Sequence, residues 1–176
     1  MAATATLAAS SIESFRSIMR GELLEPSSPS YDTTRIVWNG MIDRRPALIA
    51  RCRSFADVEA SVNFAREERL AIAIRSGGHN VAGYAVCDGG LMIDMSLMNG
   101  VRVAPGLDRV FVEGGAIWAD VDAATTPLGR ATPGGLISAT GVAGLTLSGG
   151  IGWLRGSHGL SVDNLLAADL RPHPIA

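Results

Sequence analysis

A strand–helix–strand pattern over residues 47–75 constrains the fold more than any other stretch of the chain. Residues 47–50 form a short apolar run, Ser54 provides an N-cap signal, and apolar residues then recur at helical spacing up to Arg69. The second apolar run, residues 71–74, predicts a buried strand. Such a unit is expected to be parallel and right-handed, and its second strand then ends at the edge where open α/β sheets bind ligands.

This second strand leads directly into a glycine loop with the sequence Arg75-Ser76-Gly77-Gly78-His79-Asn80. Two adjacent glycines let the backbone turn tightly and approach a ligand, and the bare amides of such a loop, with Ser76 and Arg75, can bind phosphate oxygens. His79 follows at once, and an imidazole is both a nucleophile and a proton carrier. For the hexapeptide alone, an ordinary turn beside a hydrogen-bonded surface histidine is the competing interpretation.

The rest of the chain predicts a mixture of short elements. In chain order these are a helix over 7–19, an extended segment over 31–40 with Trp38 in a turn over a core aromatic, a strand over 91–95, an antiparallel hairpin of 101–104 with 109–112, and a helix over 116–125. We expect residues 1–40 to be an N-terminal arm, residues 41–100 a first lobe and residues 101–176 a second lobe.

The 21 glycines fall mostly after residue 76, in clusters rather than at a fixed period. Between residues 132 and 154 most side chains are small, which has two possible explanations. Either the backbone lies against a flat or bulky ligand, or short elements pack closely through small residues. The sequence leaves both open.

Composition excludes several classes of protein. A formal charge of −2 and 5% aromatic residues argue against nucleic acid as a partner, and a specific small-molecule site fits better. Cys52 and Cys87 are too few for a disulfide framework, so we expect two reduced thiols in a cytoplasmic protein. No charge occurs between Arg130 and Arg155, but the seven glycines in that stretch argue against a membrane span.

Several common site motifs are missing from the sequence. No Gly-x-Gly-x-x-Gly opens a helix after the first strand, so a nicotinamide-dependent α/β enzyme is a disfavoured alternative. The P-loop lysine is absent after Gly149, and the three histidines are too dispersed for a metal site. No nucleophile elbow supports a catalytic triad.

Four ordered motifs nevertheless resemble the signatures of one flavoprotein family. They are Arg75-Ser-Gly-Gly-His-Asn80, Gly90-Leu-Met-Ile-Asp-Met-Ser96, Val112-Glu-Gly-Gly115, and Gly149-Gly-Ile-Gly-Trp153 with His158-Gly-Leu160 and Asp163-Asn-Leu-Leu166. The family is the FAD-linked oxidases with a vanillyl-alcohol oxidase or p-cresol methylhydroxylase type of FAD-binding domain. The motifs resemble in particular its berberine bridge enzyme-like subgroup, which includes sugar and oligosaccharide oxidases. The resemblance runs from about Trp38 to Leu170.

This resemblance implies an α+β fold with two lobes, a small parallel βαβ lobe and a second lobe of mixed or antiparallel α+β structure. It implies FAD as the cofactor, joined covalently through His79, in an enzyme that oxidises an alcohol, sugar or similar C–H donor with dioxygen as acceptor. The residues expected to bind the cofactor are Arg75, Ser76, Gly77, Gly78, His79, Asn80, Gly83, Tyr84, Ser96, Gly135, Thr140, Gly141, Gly144, Gly149, Gly150 and Gly152.

Two departures from the family pattern modify these expectations. Ile137 stands where some members carry a second, cysteinyl anchor, so a single histidyl link is expected. The last six residues include Pro172 and Pro174, which cannot continue a central strand, and the substrate domain of complete relatives does not follow. We therefore expect a C-terminally truncated, inactive chain without a catalytic residue of its own. A non-catalytic or vestigial flavin-binding fragment is the alternative.

Overall fold

A four-stranded sheet forms the centre of the first lobe in the structure, a computed structural model that describes residues 7–106 and 108–170. Its strands are β1 (Glu22–Leu24), β2 (Leu48–Arg51), β3 (Ile72–Arg75) and β4 (Leu91–Asp94), in the order β1-β2-β4-β3. Strand β4 runs parallel to both β2 and β3, whereas β1 is antiparallel to β2. The predicted parallel βαβ unit is thus confirmed. Residues 171–176, which include Pro172 and Pro174, lie outside the described residues.

Besides the two 3-10 turns Thr126–Leu128 and Val162–Asn164, six helices and a second sheet complete the described fold. The helices are α1 (Ala9–Ile18), α2 (Tyr31–Arg35), α3 (Phe55–Glu67), α4 (Trp118–Thr125), α5 (Val142–Leu147) and α6 (Arg155–His158), and the second sheet is the antiparallel hairpin of β5 (Val101–Val103) and β6 (Val110–Val112). The predicted mixed α+β fold is therefore confirmed. None of these described helices is long and apolar enough to cross a bilayer.

Strand β4 occupies the middle of the first sheet, and all four of its residues are buried. Successive side chains of a strand point to opposite faces, so Leu91 and Ile93 join one core cluster while Met92 joins another on the opposite face. The prediction that residues 71–74 form a buried strand is wrong. The β2–α3–β3 crossover leaves a gap of one strand between β2 and β3, and β4 occupies that gap. Strand β3 is therefore at the edge of the sheet, and its Ile74 is 56% exposed.

The N-terminal segment covers one face of this sheet. Helix α1 was predicted, and its Phe15 stacks on Phe64 of α3 with ring centroids 4.3 Å apart and planes inclined by 8°. Helix α3 begins as the N-cap signal predicts, because the Ser54 hydroxyl accepts a hydrogen bond from the Asp57 amide at 3.3 Å. Strand β1 was not predicted, since three residues are too short to show a period.

The segment over residues 31–40 differs from its prediction. Tyr31–Arg35 is a helix rather than extended chain, held by the buried Tyr31 hydroxyl, which donates to the Pro46 carbonyl at 2.6 Å. Trp38 does not belong to the core, because 64% of it is exposed. The helix therefore ends before Trp38 and leaves the indole at the surface, next to the glycine loop.

Replacement of Phe15 by alanine is expected to lower the free energy of unfolding by about 3–5 kcal/mol, the usual effect of removing a buried phenylalanine. Urea unfolding followed by far-UV circular dichroism measures this change. Phe55→Ala is the matched control, because this phenylalanine of α3 is 50% exposed and should have a much smaller effect. Equal losses for the two variants would contradict the packing of α1 on α3.

Candidate cofactor site

Three parallel strands of the first sheet end in charged residues that lie side by side. The register pairs Arg51 of β2 and Arg75 of β3 with Asp94 of β4. The Asp94 carboxylate is completely buried, and Arg75 binds it through Nη2 at 2.7 Å and Nε at 3.1 Å, while Arg51 Nε lies 3.3 Å away. This ionic row fixes the carboxyl ends of the strands, from which the glycine loop departs.

The remaining donor of Arg75 also binds the protein. Its Nη1 donates to the Thr34 carbonyl and, at 3.2 Å, to the Ile36 carbonyl, so the side chain joins β3 and β4 to the end of α2. Arg75 lines the cleft described below, but its guanidinium already has protein acceptors. That Arg75 contacts phosphate oxygens therefore remains a prediction.

The Asp94 carboxylate is kept in its ionised form. Burial alone would raise the pKa of Asp94, but hydrogen bonds and charge from Arg75, together with the Ser96 amide and hydroxyl, hold the pKa below its ordinary value. Both Ser96 groups donate to the carboxylate at 3.0 Å. Ser96, a predicted cofactor residue, is thereby fixed at the end of β4.

The loop over residues 76–80 carries unused hydrogen-bond donors. None of its five successive amides donates to another described residue. The Ser76 hydroxyl is buried and also has no partner within the described part of the chain. Since buried polar groups are almost always paired, the buried Ser76 hydroxyl is the donor that most needs an acceptor, and the neighbouring amides could bind the same group.

The second lobe lies directly on this loop. The Val142 amide donates to the Ala116 carbonyl at 2.9 Å, and the Trp118 amide donates to the Thr140 carbonyl at 3.0 Å, which places Gly141 against Gly77. A Cβ atom added to Gly77 would lie 2.2 Å from the Gly141 nitrogen. Neither glycine can bear a side chain here, so two segments far apart in sequence meet through bare backbone.

An open cleft of about 300 Å³ lies beside this contact. Its lining residues come from both lobes and are Ile36, Val37, Trp38, Arg75, Ser76, Gly77, Ser96, Asn99, Gly115, Ile117 and Asp120. The sequence predicted Arg75, Ser76, Gly77 and Ser96 among these. The other lining residues carried no local signal, except that Gly115 ends a motif quoted for the family resemblance.

His79 is partly exposed and is not among the residues that line the cleft, but its neighbour Trp38 is. Its imidazole stacks on the Trp38 indole, with ring centroids 5.4 Å apart and planes inclined by 19°. After it the chain turns, because the Asn80 side chain accepts from the Tyr84 amide at 3.1 Å and the Asn80 carbonyl accepts from the Gly83 amide at 3.0 Å. Tyr84 itself is 72% exposed, so this end of the site is open.

Most other predicted glycines pack against their own lobe. A Cβ atom on Gly135 would meet Trp118 and Leu145, one on Gly150 would meet Ser161, and one on Gly152 would lie 1.6 Å from the Gly134 carbonyl oxygen. Close packing, the second of the two explanations, therefore accounts for these three positions.

Two further predicted glycines have more space, since Gly144 has no heavy atom within 4 Å of its Cβ position and Gly149 has one, at 3.9 Å. Cofactor contact remains a prediction for all five glycines, namely Gly135, Gly144, Gly149, Gly150 and Gly152.

Neither cysteine belongs to the cleft lining. Burial raises the pKa of Cys52 to about 12 and also raises the pKa of Cys87, so both free thiols stay protonated at neutral pH. Among the described residues no group of three or more His, Cys, Asp or Glu side chains could hold a metal ion.

Comparison with known proteins shows the family to which the chain belongs. A family model described as an FAD binding domain matches residues 46–170, which is most of the chain. The chain belongs to this FAD-binding family. It is 40% identical over 152 residues to (R)-6-hydroxynicotine oxidase of Paenarthrobacter nicotinovorans, covering 86% of this chain and 33% of the relative. It is also 39% identical over 133 residues to an FAD-linked oxidoreductase of Dictyostelium discoideum, covering 76% of this chain and 29% of the relative.

Solved structures agree with this assignment. The 6-hydroxy-D-nicotine oxidase of Arthrobacter nicotinovorans superposes with a TM-score of 0.80 at 39% identity, covering 82% of this chain and 32% of that one. The glucooligosaccharide oxidase of Acremonium strictum superposes with a TM-score of 0.80 at 30% identity, covering 87% of this chain and 33% of that one. It is described as carrying a 6-S-cysteinyl, 8α-N1-histidyl FAD. The family predicted from the four motifs, FAD-linked oxidases that include the berberine bridge enzyme-like subgroup, is confirmed. The chain spans about a third of the length of these relatives.

Asp94→Asn is expected to lower the free energy of unfolding by about 3–5 kcal/mol, because it leaves two arginines without their buried counter-ion. The pKa of Asp94 is lower in the folded protein than in the unfolded chain, where it is about 3.9. Its stabilisation is therefore complete above that pH and is lost as the pH falls through the folded-state pKa. The difference between wild type and variant should shrink accordingly in urea titrations from pH 7 to pH 2.

The matched control for this measurement is Asp108→Asn, since Asp108 pairs with Arg109 at the surface. The free energy of unfolding of this variant should be close to that of the wild type at every pH, because exposed ion pairs contribute little. An Asp94→Asn variant as stable as the wild type at pH 7 would show that the buried ionic row does not hold the strand ends.

Proposed function

We propose that this chain is the FAD-binding part of a flavin-dependent oxidase that removes hydride from an alcohol, sugar or similar C–H donor and passes the electrons to dioxygen. The observation that carries the proposal is the row of unpaired amides over residues 76–80, with the buried, unpartnered Ser76 hydroxyl, beside the cleft between the lobes. Family membership supports FAD as the ligand of this site and removes the basis for the nicotinamide alternative.

The residues at the cleft fit such a cofactor. Consecutive amides with no side chain at Gly77 or Gly78 form a concave donor surface suited to pyrophosphate oxygens, and Ser76 adds a hydroxyl donor. Gly141 approaches the same loop without a side chain, and Thr140 and Ser96 lie next to it. Bound FAD would supply the hydride acceptor, while the protein binds and orients the cofactor.

We further propose that His79 attaches the cofactor covalently. The bond forms between an imidazole nitrogen and the methyl carbon on the benzenoid ring, in place of one C–H bond. The methyl group and the imidazole each release one proton, and the two electrons pass through the flavin to dioxygen. His79 is partly exposed and stacks on Trp38, which lines the cleft, so the imidazole is near the site proposed for the cofactor.

A single attachment is proposed. Ile137 cannot form a thioether, and it is 58% exposed in the segment before Gly141. Cys87 lies between the glycine loop and β4, and burial raises the pKa of its thiol, which lowers the fraction of reactive thiolate. That this chain is inactive by itself and that it is cytoplasmic remain predictions.

In the His79→Ala background, where no covalent bond can form, Ser76→Ala should weaken FAD binding by about three- to tenfold, the value of one hydrogen bond of about 0.5–1.5 kcal/mol. In the protein without FAD the same change should leave the free energy of unfolding equal or slightly higher, because the hydroxyl it removes has no partner. Fluorescence titration with FAD and urea unfolding measure the two effects. Ser157→Ala, on the exposed surface of α6, is the control and should change neither.

His79→Ala should abolish covalent attachment. The wild-type chain is expected to stay yellow after precipitation in trichloroacetic acid, whereas the variant should release its flavin into the supernatant. His158→Ala, an exposed histidine of α6 outside the cleft lining, should behave as wild type. A folded wild-type chain that never acquires colour would refute FAD binding at this site, and a yellow chain that releases its flavin in acid would refute the covalent link alone.

A further inference from the structure

We propose that Trp38 is a positioning residue for His79, which holds the imidazole plane in the orientation needed for attachment to the flavin. This inference rests on the proposed function of His79. Trp38 neither gives nor takes a proton or an electron in that reaction: the carbon–nitrogen bond still replaces a methyl C–H bond, and dioxygen still receives the two electrons. Its role is to fix where the imidazole lies before the bond forms.

The ring contact is the first observation. The centroid distance of 5.4 Å and the 19° inclination describe an offset stack, a favourable arrangement for two aromatic rings. Both imidazole nitrogens lie in the plane of the ring. A neighbour that covers one face therefore restrains the side chain and leaves its reactive edge free.

The backbone around the two rings is the second observation. The Trp38 amide donates to the Gly78 carbonyl at 3.1 Å, and the Asn39 side chain donates to the Val81 carbonyl at 2.8 Å. The residues on either side of His79 are thus tied to the same short segment that carries the indole. Arg75 Nη1 in turn donates to the Ile36 carbonyl, which anchors this segment to the end of β3.

The exposure of Trp38 is the third observation. A tryptophan that is 64% exposed contributes little to a core; Trp38 lines the cleft, and its described ring contact is with His79. Preorganised geometry of this kind affects rate strongly, since a displacement of about 1 Å can slow a bond-forming step about a hundredfold. The structure thus provides a reason for an indole at this exposed position.

The test uses the full chain produced under riboflavin limitation, then mixed with FAD in air. Covalent flavin is measured over time as absorbance retained after acid precipitation. Trp38→Ala should slow attachment by about tenfold to a hundredfold, and Trp38→Phe should recover most of the rate because it keeps an aromatic face. Trp153→Ala removes a tryptophan that is 81% exposed and lies outside the cleft lining, and it should attach FAD at the wild-type rate.

Two further measurements separate positioning from binding. In the His79→Ala background, where no bond can form, Trp38→Ala should change the Kd for FAD by a much smaller factor than it changes the rate of attachment, although Trp38 lines the cleft. By NMR without FAD, the His79 Hε1 signal of the wild type should carry an upfield ring-current shift that Trp38→Ala removes. A Kd that rises as much as the rate falls would overturn the positioning role and make Trp38 a binding residue.

The remaining outcomes are distinct. A wild-type rate in Trp38→Ala, or a Trp38→Phe variant as slow as the alanine, would overturn the proposal that stacking positions His79. A wild-type chain that binds FAD but never forms the bond would overturn the proposed function of His79, and the ring-current shift would then still decide whether the stack exists. The expected pattern is a slow alanine variant, a rescued phenylalanine variant and a Kd that changes far less than the rate.

Discussion

The buried carboxylate of Asp94 is the constraint on which the rest of the site depends. A completely buried charge is destabilising unless it is paired and hydrogen-bonded, and here two arginines and both polar groups of Ser96 meet it. The partners come from three neighbouring strands, so neutralising this one charge also sets where the strands end. Arg75 extends the arrangement to the end of α2. The loop after β3 therefore leaves from a fixed edge, although β3 itself has little apolar area to bury.

What this edge presents to the outside is backbone rather than side chains. Five amides in succession lack protein acceptors among the described residues, and the second lobe meets them through the Gly77 and Gly141 contact, where no Cβ atom fits. A protein that leaves donors unpaired in a partly buried loop is less stable for it, and an anionic ligand offsets that loss. Two independent observations thus favour an anionic cofactor: the match to an FAD-binding family, and a loop whose hydrogen-bond donors are unsatisfied. The chemistry of substrate oxidation belongs to relatives about three times as long, and for this chain it is a proposal.

The sequence predicted elements with a strong local pattern and failed where tertiary context decides. Helix α3, with its Ser54 cap, strands β2 and β4, and the β5–β6 hairpin all follow from periodicity and turn residues. Helix α2 was missed because one buried hydroxyl contact from Tyr31 stabilises five residues that show no helical period. The exposure of β3 was missed because a strand's place in the sheet depends on which later strand is inserted beside it.

The sequence by itself determined the family and the glycine loop that carries His79, the proposed point of attachment, because these depend on residue types at fixed spacing along the chain. A clue to the ionic row was also present, since three short apolar runs each end in a charged residue, but pairing them requires the strand register. Only the tertiary structure decided that Trp38 covers His79 and that residues more than 60 positions apart meet at Gly77 and Gly141. Contacts of this kind depend on how the sheet orders its strands and how the lobes close, and no local pattern encodes either.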